Sequence, residues 1–223
     1  MTQASKRAVV FGTGSYAEVV DFYLAADSDY RVAAFTATAD VIASDTYLGR
    51  PLVAFETIEE RFPPAEYDMF VAVGYAKLNT LRETFCGAAR AKGYKLLSYV
   101  CSKATQWGAT EIGDNVFVFE DNTLQPFTSI GDGTIVWSGN HIGHHSRIGK
   151  YCMITSHVVV SGHCRIGDRC FMGVNSAIAD SVSIGDDNLI GAGAVIEKNT
   201  GPREVYMPER LKKFAKDSSW FFR

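Results

Sequence analysis

From Ile112 to Asn199 the apolar positions recur every six residues. Ile112, Val118, Leu124, Ile130, Val136, Ile142, Ile148, Ile154, Val160, Ile166, Met172, Ile178, Ile184, Ile190 and Ile196 follow without a slip. Four places after each stands a small or slender residue, among them Val116, Asn122, Thr134, Ser146, Cys152, Cys164, Cys170 and Ala194. A period of six fits neither an amphipathic helix at about 3.6 nor a strand at about 2, so it specifies a stacked architecture. Three short sides make a coil of about 18 residues, and coils stack at strand spacing, roughly 4.8 Å, into a parallel β-helix. The aliphatic residue fills the interior, and the small one fits the corner beside it.

Before the repeat, the pattern alternates between strand and helix. Arg7–Phe11 reads as a buried strand, followed by Gly12-Thr13-Gly14-Ser15-Tyr16-Ala17 and a helix to about Ala25. Tyr30–Phe35 is a second strand, Pro51–Phe55 a third, Thr57–Arg61 a short helix and Asp68–Val73 a buried strand ending at Gly74. A helix over Leu78–Lys92 closed by Gly93, then a strand over Lys95–Val100, complete a small parallel sheet, one Rossmann-like half. The domains expected are an α/β nucleotide-sugar-binding unit over 1–103, a left-handed β-helix over 104–200 and a tail over 201–223. In the tail, Pro208–Lys216 reads as a short helix, and Trp220-Phe221-Phe222 as an apolar cluster needing something to dock on.

Composition narrows the function. Of 223 residues, 47% are hydrophobic and 21% charged, which describes an ordinary folded protein, and a net charge of −3 gives no footprint for nucleic acid or an anionic membrane. No apolar run approaches a membrane span and no leader is evident, so a cytoplasmic protein is expected. Three of the five cysteines, Cys152, Cys164 and Cys170, occupy the small corner position, where a buried apolar residue is wanted rather than a disulfide or a metal ligand.

The glycine-rich turn at Gly12, Gly14, Ser15 and Tyr16 precedes a helix N-terminus, a place for phosphate or a nucleotide. No acid ends the second strand, where Phe35 and Thr36 stand, so a redox dinucleotide is not expected. The loop from Gly74 leaves a strand's carboxyl end, and Lys77 and Arg82 are candidates to meet phosphates there, or simply a solvated helix start.

All five histidines lie between His141 and His163. Adding 18 moves one coil along a column, which stacks His144 near Gly162 and His145 near His163. A histidine one coil from a glycine sets a base beside a backbone N–H that no Cβ screens, the pairing acyl transfer needs. For metal, His145 and His163 are neighbours, but the spacing supplies no third ligand, so no metal is expected.

The units GTGSYAEVV and GYAKLNTLR and the blocks WSGNHIGHHSRIG, GVNSAI and GAGAVI resemble the hexapeptide acyltransferases of bacterial sugar modification. That family includes sialic acid O-acyltransferase-like proteins and nucleotide-amino-sugar N-acetyltransferases. The resemblance implies transfer of an acyl group, acetyl in the first instance, from acetyl-CoA or another acyl-CoA to an amine or hydroxyl of a nucleotide-linked sugar in surface-glycan biosynthesis. It implies a homotrimer with sites between subunits, His144 as base, Gly162 as oxyanion donor and His145 beside them. Coenzyme A would run past Gly162, Val174, Asp180, Ala192 and Lys198, and the sugar nucleotide would meet Gly12, Gly14, Ser15, Tyr16, Gly74, Lys77 and Arg82. Two departures stand out: His145 replaces the acid that commonly follows the catalytic histidine, and Met207-Pro208-Glu209 replaces a glycine-proline-alanine turn. A β-helical metal-dependent hydratase and a non-catalytic nucleotide-sugar-binding protein are the alternatives.

Overall fold

The computed structural model describes residues 6–209 and Ala215, so the expected tail helix and Trp220-Phe221-Phe222 lie outside the described residues in whole or in large part. The first unit is a five-stranded sheet. Its strands β1 (Lys6–Phe11), β2 (Tyr30–Ala37), β3 (Thr46–Tyr47), β4 (Arg50–Ala54) and β5 (Asp68–Val71) lie in the order β3-β4-β2-β1-β5. All pairings are parallel except β3 with β4. Helices α1 (Ser15–Asp27), α2 (Ile58–Arg61) and α3 (Thr80–Ala91) flank it.

Alternation along β1 divides the core. Val9 and Phe11 pack with Phe55, Ile58, Met69, Val71, Cys86 and Ala89 on the side of α2 and α3. Ala8 and Val10 face Ala17, Val20 and Leu24 of α1 and, beyond them, Phe117, Phe119, Ile135 and Met153 of the β-helix. The sheet and the β-helix therefore share one apolar layer, which fixes the glycine-rich turn against the coils.

The repeat forms three stacked parallel sheets of two-residue strands. The first face carries Tyr99, Phe117, Ile135, Met153, Phe171, Leu189 and Val205, the second Thr105, Thr123, His141, Val159, Ala177 and Val195, and the third Glu111, Ser129, Arg147, Arg165 and Ser183. Large apolar residues on the first face dock the α/β unit, and charged ones on the third face water. Each interior aliphatic residue from Val118 to Ile196 is at most 5% exposed, and each contributes about 1.5–3 kcal/mol by burial. The corner residues do more than fit: the Thr134 hydroxyl donates to Gly149 O (2.8 Å) while accepting the Cys152 N–H (3.0 Å), and Ser146 does the same with Ser161 O (2.7 Å) and the Cys164 N–H (2.9 Å).

The strand expected over Lys95–Val100 divides. Leu96 makes only a single bridge to Met69, whereas Tyr99–Val100 pairs with Phe117–Val118 as the first strand of the β-helix. Thr105–Gln106 likewise pairs with Thr123–Leu124. The coils thus begin before the hydrophobic period is visible, because Gln106 and the exposed Trp107 interrupt it.

Each hexad turns its corner through a residue with positive φ, from Asn115 (54°) and Asp121 (59°) through His145 (61°), His157 (60°) and His163 (57°) to Asp187 (59°) and Gly193 (74°). Asparagine, aspartate, histidine and glycine tolerate this left-handed conformation best. Three of the five histidines therefore have a backbone reason to be where they are; His144 has none.

Candidate active site

The backbone of His144 is held from both sides, its N–H donating to Gln125 Oε1 (2.9 Å) and its carbonyl accepting the His163 N–H (2.9 Å). The imidazole then lies over the next coil. A methyl group placed on Gly162 would stand 2.9 Å from His144 Cε1, 3.0 Å from His144 Nε2 and 3.0 Å from Asp180 Oδ1. Gly162 is thus the floor of a notch walled by an imidazole and a carboxylate, and a side chain there would fill it. The Gly162 carbonyl accepts the Ser181 N–H (2.9 Å), but its own N–H meets no acceptor among the described residues. A free amide beside a ring nitrogen is competent to stabilise an oxyanion while that nitrogen takes a proton.

His145 stands in sequence where the resembled family commonly carries an acid. Its Nδ1 lies 3.2 Å from His144 Nδ1, so the tautomer in which His144 donates from Nδ1 leaves Nε2 with its lone pair toward the notch. The other face of His145 packs on Phe127, with ring centroids 4.7 Å apart. His145 stacks on His163 at 4.9 Å, and His144 meets His163 edge-on at 5.0 Å. Spacing alone left only two histidines as neighbours, but columns 144/162 and 145/163 share a corner and three imidazoles meet there.

A second concavity, about 340 Å³, lies between the α/β unit and the coils, lined by Ser15, Tyr16, Gly74, Tyr75, Trp137 and Val174 among others. Helix α1 opens on it. Gly14 at the N-cap is extended, no side chain caps the helix, and a Cβ on Gly14 would meet nothing within 4 Å. The amides of the first turn are therefore available to an anion. Gly12 has a different reason to be glycine: its φ is 127°, and a Cβ would come 2.8 Å from the Ala72 carbonyl. The Tyr16 ring lines the cleft and packs near Phe70, Phe117 and Trp137, but its hydroxyl is buried without a partner among the described residues, and burial pushes its pKa far up.

Arg82 requires a correction. Rather than meeting phosphate, its guanidinium is fully buried, with Nε donating to Gly133 O (2.6 Å), Nη1 to Val73 O (3.1 Å) and Gly74 O (2.6 Å), and Nη2 to Asn79 Oδ1 (3.1 Å), Tyr151 O (2.8 Å) and Cys152 O (3.1 Å). Every donor is occupied, so the residue ties the α3 loop to the coils. Lys77, in a left-handed turn with Leu78 and Asn79, is exposed and off the cleft wall.

The remaining candidates divide between two corners. Gly162, Asp180 and Lys198 continue the His144 column, whereas Val174 and Ala192 lie in the column of Ser138 and Ser156, at the corner that borders the cleft. Trp137, Met153, Thr155 and Tyr75 were not singled out in the sequence. Trp137 had a visible signal, since it fills the position after the interior residue that glycine takes in most hexads.

Fold and repeat together define a left-handed β-helix of hexapeptide repeats, and two stretches of it are similar to the repeats of known transferases. Residues 127–162 match the family described as bacterial transferase hexapeptide (six repeats), and residues 164–198 the hexapeptide repeat of succinyl-transferase. Perosamine N-acetyltransferase from Caulobacter crescentus, in a histidine-to-asparagine mutant solved with CoA and GDP-perosamine, is 26% identical with a TM-score of 0.82, over 96% of this chain and 100% of that one. PerB from the same organism, also with CoA and GDP-perosamine, is 27% identical with a TM-score of 0.80 over the same shares of 96% and 100%. The acetyltransferase domain of PglB from Neisseria gonorrhoeae FA1090 is 26% identical with a TM-score of 0.77, over 87% of this chain and 93% of that one. Comparison with curated proteins gives no match. The likeness to nucleotide-amino-sugar acyltransferases that the sequence suggested is thereby shown. No helix among the described residues is long and apolar enough to cross a membrane.

Proposed function

We propose that the protein transfers an acyl group, acetyl in the first instance, from acyl-CoA to an amino or hydroxyl group of a nucleotide-linked sugar used in bacterial surface glycans. The observation that carries this reading is the His144 imidazole edge set against a Gly162 amide that has no acceptor among the described residues, on a β-helix of hexapeptide repeats. The acceptor nitrogen or oxygen attacks the thioester carbonyl while His144 Nε2 takes its proton, a role typically contributing ~10²–10⁴-fold. The carbonyl oxygen, now anionic, accepts from the Gly162 N–H; collapse expels the coenzyme A thiolate, which takes the proton from His144 Nε2. The two Caulobacter crescentus structures hold CoA and GDP-perosamine, which supports both ligand classes here. The uncapped α1 terminus suits a diphosphate, and the coils offer Asp180, Val174, Ala192 and Lys198 to coenzyme A.

The assembly proposed is a homotrimer in the cytoplasm, with the α/β unit holding the acceptor and the β-helix the donor. The second face supports it: Thr105, Thr123, His141, Val159, Ala177 and Val195 carry no carboxylate or ammonium, and Val159 and Val195 are 42% and 63% exposed. Two separate corners carrying one set of expected ligand residues also suit a site completed by a neighbouring copy. The test is release of free thiol from acetyl-CoA against a panel of nucleotide-linked amino sugars, with His144→Ala as control. Release that occurs with no acceptor in the panel, or that survives His144→Ala unchanged, overturns the reading.

A further inference from the structure

The corner that joins His144 to its neighbours holds a second capability. His144, His145 and His163 each offer a ring nitrogen, and the three lie within 4.8 Å of one another. The His144 and His145 Nδ1 atoms are 3.2 Å apart, close to the ~3.3 Å edge of a tetrahedron built on Zn–N bonds of about 2.05 Å. The third ligand, a ring nitrogen of His163, lies within 4.8 Å of the other two. All three residues are exposed, and their backbones are fixed by the inter-coil ladder: His145 N–H donates to Pro126 O (3.3 Å) and His163 N–H to His144 O (2.9 Å). Phe127 beneath His145 limits where that ring can turn. Three neutral imidazoles with an open fourth position for water suit zinc, copper or nickel rather than magnesium or calcium, which want oxygen ligands.

We propose that His144, His145 and His163 of one chain form a site for a divalent transition metal, and that occupation of this site switches off acyl transfer. The second half rests on the function proposed above. A metal ion bound at His144 Nδ1 forces the proton onto Nε2, the nitrogen that faces Gly162. That nitrogen then has no lone pair to receive a proton from the acceptor. The metal has no catalytic part here; it competes with the His144–His145 hydrogen bond that keeps the base in its working tautomer.

The full-length chain, freed of metal by chelator, is titrated with zinc by calorimetry and with cobalt by visible absorption. The site requires one ion per chain and the intense bands of four-coordinate cobalt. His163→Gln should weaken zinc at least about tenfold, as losing a ligand must, while His157→Gln, outside the cluster, should not. Equal binding by wild type and His163→Gln, or equal weakening by His157→Gln, overturns the site. In a separate arm, acylated product is measured by mass, since released thiol itself binds zinc, and each variant is compared with its own zinc-free rate. Zinc should inhibit the wild type, with the half-inhibiting concentration raised at least tenfold in His163→Gln. Binding without inhibition overturns the switch and leaves the site. Absence of acyl transfer with any acceptor instead overturns the proposed function, and the binding arm still reports on the metal.

Discussion

Gly162 presents its bare α-carbon to the Cε1–Nε2 edge of His144, so closely that a methyl group would stand 2.9 Å from the ring. The three nearest atoms a new Cβ would meet are side-chain atoms of His144 and Asp180. Gly162→Ala should therefore fold normally while moving the imidazole, with turnover falling by roughly tenfold or more, the scale expected for small misplacement of a reacting group. Gly143→Ala is the contrast: its Cβ would fall 2.5 Å from Ser161 C and 2.6 Å from Gly162 N, so stability should fall as well. Thermal melts and initial rates on both variants separate the effects. Equal loss of stability in the two would mean that Gly162 is a packing glycine and no more.

His144→Ala should lower turnover by ~10²-fold or more with little change in acetyl-CoA affinity, since a base is needed mainly in the transition state. His145→Ala removes only the partner of Nδ1, at 3.2 Å, and should cost less. Steady-state kinetics on the pair decides the assignment. Near-normal turnover in His144→Ala with loss in His145→Ala would transfer the role of base to His145.

The period of six made the coils legible because the interior of a narrow prism admits only aliphatic residues at one position in each hexad, and Val118, Leu124, Ile142 and their successors all comply. The His144–Gly162 contact was legible for the same reason, since a stacking step of 18 is a distance in space as well as in sequence. Arg82 was not. A cation at a helix start looks the same in sequence whether it meets water, phosphate or carbonyls, and only the fold brings Gly133, Tyr151 and Cys152 to it. The convergence of His163 on His144 was missed because the stacking rule compares positions within a column, not across adjacent ones. The first coil was hidden by Gln106, a polar residue tolerated where the prism has no coil below it.

Arg82→Met should be destabilised by on the order of 3 kcal/mol or more, because the carbonyls of Gly133, Tyr151 and Cys152 lose a buried donor at once. Arg82→Lys should recover only part of the loss, since one ammonium cannot reach six acceptors set for a planar fork. Urea unfolding measures both. Retained stability with a raised Michaelis constant for the sugar nucleotide would reinstate Arg82 as a ligand contact.

Asp27 joins α1 to the first coil, accepting from the Tyr99 hydroxyl (2.6 Å) and the Ser102 N–H (2.8 Å). Burial alone would raise its pKa, but the bonds from Ser102 and Tyr99 outweigh it and bring the carboxyl down from 3.8 to about 2. A depressed carboxyl stabilises the fold fully above its ordinary pKa and ceases to do so as pH falls through the folded value. Asp27→Asn should therefore be less stable than wild type at pH 5, with the gap closing between pH 3.8 and about 2. Urea midpoints at several pH values test this. A gap that does not change with pH would assign the loss to geometry rather than charge.

Gly14 offers the cleanest test of where the acceptor binds, because a Cβ there would meet nothing within 4 Å among the described residues and its φ of −97° suits any residue. A bulky side chain would instead project from the α1 terminus beside the cleft bounded by Ser15, Tyr16 and Gly74. Gly14→Leu should leave the melting temperature nearly unchanged and raise the Michaelis constant for the sugar nucleotide severalfold, since the first-turn amides lose access to the diphosphate. The constant for acetyl-CoA should hardly move. If it is the acetyl-CoA constant that rises and the sugar's that stays, the α/β unit holds the donor and the roles of the two units are exchanged.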